Sequence, residues 1–221
     1  MESIFWHERW ELGQIGFHSS EVNPWLIKHW DEIASLSQQK KIFVPLCGKT
    51  IDILWLSEQG YAVIGCEISP IAVNDFFTVS KLSVIRKVEG DFEVWQSGNI
   101  TIYCGDFFAL KPHHLQGCDL IYDRASLIAL PESMRVAYAK QLIAISKKQV
   151  SHILLITLEY PQEEMQGPPF SVSHQQVEDY YQAHFSIKSL SSEEILFENL
   201  QFKKRGLTGL KENVFLMTSI D

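Results

Sequence analysis

The stretch that decides the fold is Val44-Pro45-Leu46-Cys47-Gly48-Lys49-Thr50. An apolar run over residues 41–46 leads into it, and a helix-like run over 51–59 follows directly. A strand passing through one short turn into a helix is how a doubly wound α/β sheet begins. In such sheets ligands bind beyond the carboxyl ends of the strands. Gly48 lets backbone approach a ligand closely. Two phosphate-binding turns are disfavoured here. The Gly-x-x-x-x-Gly-Lys loop would need glycine at position 43, which is Phe43. The Gly-x-Gly-x-x-Gly turn that cradles a dinucleotide pyrophosphate is also absent, so nicotinamide and flavin cofactors are disfavoured.

Outward from that turn, strand-like and helix-like segments alternate, which predicts an α/β fold with a mainly parallel sheet. Further strands are expected at 62–66, 100–104, 119–122 and 153–158, with a hairpin partner for the third at about 92–96. The tail offers 185–190, 195–197 and 214–220. Helices are expected at 71–82, opened by Ser69 as cap and Pro70 in the first turn, and at 131–148 and 173–184. Two Trp-rich helical stretches, about 4–11 and 24–36, precede the first strand. Residues 1–40 are thus an N-terminal helical addition to a core over 41–221, too short for an independent domain, and the whole chain reads as one domain.

The bulk properties narrow the partners. Nineteen Lys and Arg against 27 Asp and Glu leave a formal charge of −8. Nucleic-acid binding requires clustered cations, and Lys203-Lys204-Arg205 is the only dense run, read as a solvated loop. No apolar run approaches the roughly 18–20 residues of a membrane span, and the charged N-terminus is no signal peptide. Cys47, Cys66, Cys104 and Cys118 form no Cys-x-x-Cys pair and lie in or beside apolar runs, as reduced core thiols do. The expectation is a cytoplasmic protein with no metal, no nucleic-acid partner and no membrane contact. His113-His114, in a proline-containing loop, reads as surface, and Trp25 and Trp30 as core.

Three further positions carry chemistry. The second strand ends in Glu67, about twenty residues after Gly48. An acid there can accept hydrogen bonds from both ribose hydroxyls of a nucleotide or nucleoside, although it could instead cap the helix after Ser69. A carboxylate without a phosphate cradle suits a nucleoside lacking pyrophosphate, and S-adenosylmethionine is such a ligand. The third strand leads to Gly105-Asp106-Phe107-Phe108, placed to meet an adenine by its amine and face, or else a turn with core phenylalanines. The fourth ends in Asp123-Arg124, a charged pair at a strand's carboxyl end, which could equally be a plain salt bridge.

Together these residues resemble the thiopurine S-methyltransferase family, in its compact bacterial form. The matching stretches include Phe5-Trp6-His7-Glu8-Arg9-Trp10, Gly16-Phe17-His18, Val44-Pro45-Leu46-Cys47-Gly48-Lys49, Gly65-Cys66-Glu67-Ile68-Ser69 and Gly105-Asp106-Phe107-Phe108. They continue through Ile121-Tyr122-Asp123-Arg124-Ala125 and Leu158-Glu159-Tyr160 to Gly167-Pro168-Pro169-Phe170, and the match thins after Phe185. The resemblance implies a Rossmann-like class I S-adenosylmethionine-dependent methyltransferase fold: seven strands, mostly parallel with the last antiparallel, and helices on both faces. It implies that Trp10, with Trp6 nearby, closes over the cofactor and that Leu46 touches its methionine portion. Glu67 takes the ribose, Asp106 and Phe107 flank the adenine, Arg124 lies near cofactor and acceptor, and Phe17 contacts the substrate. The implied acceptor is a small thiol, with selenol or tellurium-type nucleophiles as relatives in reactivity, acted on by a monomer. Trp6, Trp10 and Phe17 would form a lid that excludes water.

Methyl transfer from a sulfonium to a soft anionic acceptor needs positioning more than base catalysis. Arg124 is therefore the expected catalytic group, acting electrostatically on the anionic acceptor. Two other readings are weighed. A base methyltransferase commonly carries an Asn/Asp-Pro-Pro-aromatic motif after the fourth strand, where this chain has Asp123-Arg124-Ala125-Ser126. A non-catalytic cofactor-binding module would need a decayed site, whereas Leu46, Glu67 and Arg124 are intact.

Overall fold

The structure is a computed structural model that describes residues 3–15 and 18–220. The chain clusters into two compact units, one ending at Tyr122 and the other beginning at Asp123.

The first unit opens with α1 (Ser3–Glu11) and α2 (Pro24–Leu36). Asn23 caps α2, its side chain accepting from the amides of Trp25 and Leu26, and Pro24 pre-sets the first turn. Trp25, Leu26, Trp30 and Ile33 form the buried stripe of α2, and Trp30 meets Trp55 and Tyr61 edge-on at 5.2 and 4.9 Å. Then come β1 (Lys41–Val44), α3 (Asp52–Glu58), β2 (Ala62–Glu67), α4 (Pro70–Val79), β3 (Ile85–Glu89), β4 (Phe92–Ser97), β5 (Ile100–Cys104) and β6 (Leu120–Arg124), the last belonging to this unit as far as Tyr122. The sheet runs β3-β4-β5-β2-β1-β6. β1 is parallel to β2 and β6, and β2 is parallel to β5. β1 and β2 are buried almost throughout, as strands covered on both faces must be.

The second unit contains α5 (Ser126–Ala129), α6 (Glu132–Ser146), β7 (His152–Glu159), α7 (His174–Tyr181), β8 (Phe185–Glu194), α8 (Leu200–Lys204) and β9 (Lys211–Ser219). Here β9 lies between β7 and β8 and is antiparallel to both. The expectation of a final antiparallel strand matches this arrangement.

Three expectations need correction. Nine strands, not seven, occur among the described residues, because β3 and β4 add an antiparallel pair at the β5 edge. Residues 195–197 are not a strand: the chain turns there, and Leu196 packs with Tyr160, Leu207 and Leu210 in a satellite cluster. His114 is not a surface residue. Its Nδ1 accepts the Lys111 amide at 2.8 Å, and its ring packs edge-on against Phe92 and Tyr103. Burial costs little there because the nitrogen is paired. Trp25, Trp30 and all four cysteines are buried, as expected.

Candidate active site

Three turns are stitched together at the carboxyl ends of β1, β2 and β5. The Cys47 amide donates to the Cys66 carbonyl at 3.0 Å, and the Gly105 amide donates to the Glu67 carbonyl at 2.9 Å. The ladder therefore continues past the strands and brings residues 46–48, 67–69 and 105–107 side by side. The first of these turns is left-handed at two residues. Gly48 has φ +54°, natural for glycine, whereas Leu46 has φ +43°, a conformation that costs a branched side chain on the order of 1–3 kcal/mol.

Glu67 is 5% exposed, and its carboxylate is held from both sides. Oε2 accepts the Gly48 amide at 2.8 Å, and Oε1 accepts the Ser69 amide at 2.8 Å. Burial pushes its pKa above the ordinary carboxylate value, opposed by the hydrogen bonds from the Ser69 and Gly48 amides and, more weakly, by the nearby Ile68 amide. Each oxygen keeps a lone pair to spare. The group can therefore accept from two adjacent hydroxyls while its orientation stays fixed by backbone. Glu67 is not the cap of α4; Ser69 is, its hydroxyl accepting from the Ala72 amide at 3.4 Å.

Trp10 stands against this turn. It is 6% exposed, and a Cβ placed on Gly48 would lie 3.3 Å from its Cζ2. The Lys49 ammonium lies 5.6 Å from the Trp10 ring centre and is paired with Asp75 at 3.0 Å. Trp6, one turn earlier on α1, packs edge-on against Phe5 at 5.2 Å. The Asp106 side chain accepts the Phe108 amide at 2.9 Å and caps the short 3-10 turn Phe107–Ala109. Phe107 is buried in the core and meets Phe108 edge-on at 5.6 Å, and Phe108 is the ring open to solvent.

Trp6, Trp10, Leu46, Glu67, Asp106 and Phe107 all lie in the first unit. Arg124 lies in the second, half-buried at the end of β6. Phe17 lies outside the described residues. The sequence reading missed Asp52, which is fully buried and accepts the Asn23 amide and the Tyr122 hydroxyl, both at 2.9 Å. It ties α2, α3 and β6 together just behind the Gly48 turn. No local signal marks it, since its partners are 29 and 70 residues away in sequence.

Another cleft lies in the first unit, away from these turns. About 480 Å³ in volume, it is lined by Lys41, Ala62, Asn99, Thr101 and Gln116 among others, near the amino ends of β1, β2 and β5. Ligands of open α/β sheets sit at the opposite ends, so chemistry outweighs volume here. Burial pushes the Cys47 and Cys66 thiols well above their usual pKa and raises Cys104 and Cys118 to about 12, so all four are held as thiols at neutral pH. Among the described residues no group of three or more His, Cys, Asp or Glu could hold a metal ion, and no helix is long and apolar enough to cross a membrane.

Comparison with known proteins points the same way as the geometry. A family model described as Thiopurine S-methyltransferase matches residues 1–219. The thiopurine S-methyltransferase of Nitrosospira multiformis is 44% identical over 98% of this chain and 98% of its own. That of Shewanella oneidensis is 46% identical over 98% and 99%. Among solved structures, a SAM-dependent methyltransferase from Anabaena variabilis superposes with a TM-score of 0.64 at 15% identity, covering 98% of this chain and 94% of that one; it shares the fold.

Proposed function

The chain belongs to the thiopurine S-methyltransferase family, and from that premise we propose that it moves a methyl group from S-adenosylmethionine to an aromatic or heterocyclic thiol. Selenium and tellurium compounds of similar softness belong to the same acceptor class. The observation that carries this reading is the Glu67 carboxylate, fixed by two amides and still able to accept from a vicinal pair of hydroxyls. The residues around it fit a nucleoside without phosphates: a left-handed glycine that brings backbone close, an aromatic wall at Trp10, and no phosphate cradle.

Bound there, S-adenosylmethionine supplies a methyl carbon made electrophilic by its sulfonium. Glu67 orients the ribose, Leu46 borders the methionine portion, and Asp106 with Phe107 flanks the adenine. Trp6 and Trp10 cover the bound nucleoside, Phe17 is assigned to the acceptor, and together they would exclude water. Arg124 would favour the anionic form of the acceptor, the form to which the methyl group would be supplied. A thiolate is already the reactive form, so no general base is required. Orientation of the two partners supplies the main rate gain, on the order of 7–11 kcal/mol at most.

The test is release of S-adenosylhomocysteine, followed across thiols, selenols and tellurite. Turnover with at least one of these acceptors, needing about ten- to a hundredfold more S-adenosylmethionine in Glu67→Ala, is the expected result. Absence of any heat of binding for S-adenosylmethionine or S-adenosylhomocysteine, with a dinucleotide binding instead, would overturn the reading.

A further inference from the structure

Asp123 is fully buried at the end of β6, one residue before Arg124. Successive side chains of a strand point to opposite faces, so the carboxyl turns into the core of its unit while the arginine turns the other way. Its Oδ2 accepts the Tyr138 hydroxyl of α6 at 2.8 Å. The hydroxyl and the amide of Ser126, the first residue of α5, also face this carboxyl. Between Asp123 and Ser126 the chain makes a tight turn in which Ala125 has φ +70°, a left-handed conformation that alanine adopts only when its surroundings enforce it.

The arrangement is costly for a purely structural device. Asp123 Oδ1 has no hydrogen-bond partner among the described residues, and neither has the buried Tyr181 hydroxyl of α7. Burial raises the Asp123 carboxyl to about 6, with the hydrogen bonds from Tyr138 and Ser126 opposing. An asparagine would avoid the buried charge, but its neutral oxygen holds the same donors more weakly than a carboxylate does, and its NH2 would take the place of Oδ1, which has no partner among the described residues. The carboxylate is the group that can hold Tyr138, the Ser126 hydroxyl and the Ser126 amide together.

We propose that Asp123, through Tyr138 and Ser126, is the positioning residue for Arg124, fixing the β6–α5 turn so that the guanidinium is presented to the acceptor. This rests on the acceptor-side assignment of Arg124 made above.

The test measures kcat and KM for thiophenol, together with calorimetric binding of S-adenosylhomocysteine, in Asp123→Asn, Tyr138→Phe, Arg124→Ala and the double variants. In the Arg124-containing background, Asp123→Asn is expected to lower kcat/KM for the thiol about ten- to a hundredfold, and Tyr138→Phe about threefold to tenfold. Binding of S-adenosylhomocysteine should change less than threefold, which also shows that the variants fold. In the Arg124→Ala background the same two substitutions should have no further effect on kcat/KM, although each still shifts the melting temperature. Equal losses in both backgrounds would reduce Asp123 to a structural part and overturn the proposal, as would full activity in Asp123→Asn beside a damaged Arg124→Ala. A fully active Arg124→Ala would remove the assignment of Arg124 and this inference with it, while leaving the nucleoside site intact.

Discussion

The Gly48 amide and the Glu67 carboxylate are joined at 2.8 Å, so the turn after β1 and the acid at the end of β2 form one rigid piece. A substitution at Glu67 therefore acts on ligand and fold together. Glu67→Ala is expected to weaken S-adenosylmethionine binding about ten- to a hundredfold by calorimetry, the loss of one or two hydroxyl bonds. Glu67→Gln is not a mild change. Both oxygens already accept backbone amides, so the new NH2 must face the amide of Gly48 or Ser69. We expect a stability loss of about 1–3 kcal/mol in chemical denaturation as well as weaker binding.

Gly48→Ala should be poorly tolerated for two separable reasons. At φ +54° an alanine is strained by roughly 1–2 kcal/mol. Its Cβ would also press on Trp10 at 3.3 Å. The second part is relieved by Trp10→Phe and the first is not. The double variant should therefore recover some, but not all, of the melting temperature lost by Gly48→Ala.

Asp52→Ala leaves the Asn23 amide and the Tyr122 hydroxyl without their buried acceptor. A loss on the order of 2–5 kcal/mol is expected. Tyr122→Phe removes one donor and leaves the carboxylate its other bond, so about 1 kcal/mol is expected. Urea denaturation of the two variants checks the ranking, and a silent Asp52→Ala would contradict it.

The pH dependence of stability has a definite sign at Asp123. Its carboxyl rises from 3.8 to about 6 on folding, so the folded state holds the proton more tightly than the unfolded chain. The penalty of the ionised group is fully present above the folded value. It is relieved as the pH falls through about 6 towards 3.8. Asp123→Asn carries no such titration. Its stability relative to the parent protein should therefore improve between pH 4 and pH 7.5, by up to about 3 kcal/mol, whatever offset its altered hydrogen bonds introduce.

The four thiols should be silent towards Ellman's reagent in the native protein and all reactive after denaturation. They are buried, and their raised pKa values leave almost no thiolate at neutral pH. Rapid native labelling of any one of them would contradict the packing described for it.

Much of the fold was legible because the sheet's inner strands are buried on both faces and write themselves as unbroken apolar runs, as in Lys41–Val44 and Ala62–Glu67. β3 was not, because Ile85–Glu89 is exposed along most of its length and its sequence shows no apolar face; only its ladder to β4 makes it a strand. Residues 195–197 failed in the opposite direction. Their apolar side chains serve a satellite cluster with Tyr160, Leu207 and Leu210, and periodicity cannot tell that from a ladder. At the candidate site, the place of Glu67 beside the Gly48 turn was readable from its spacing, because sheet topology ties that spacing to geometry. Asp52, Tyr122 and the pairing of Lys49 with Asp75 were not, because distant segments meet there without any local mark.

Leu46 keeps its left-handed backbone beside the proposed nucleoside site although glycine would occupy that conformation at no steric cost. Directed evolution towards heat resistance should thus be drawn to Leu46→Gly, which relaxes the turn while stripping away the side chain assigned to the methionine end of the cofactor. Hardiness and turnover are set against each other at this one position, and breeding for the first alone would yield a durable protein with a blunted appetite for its methyl donor.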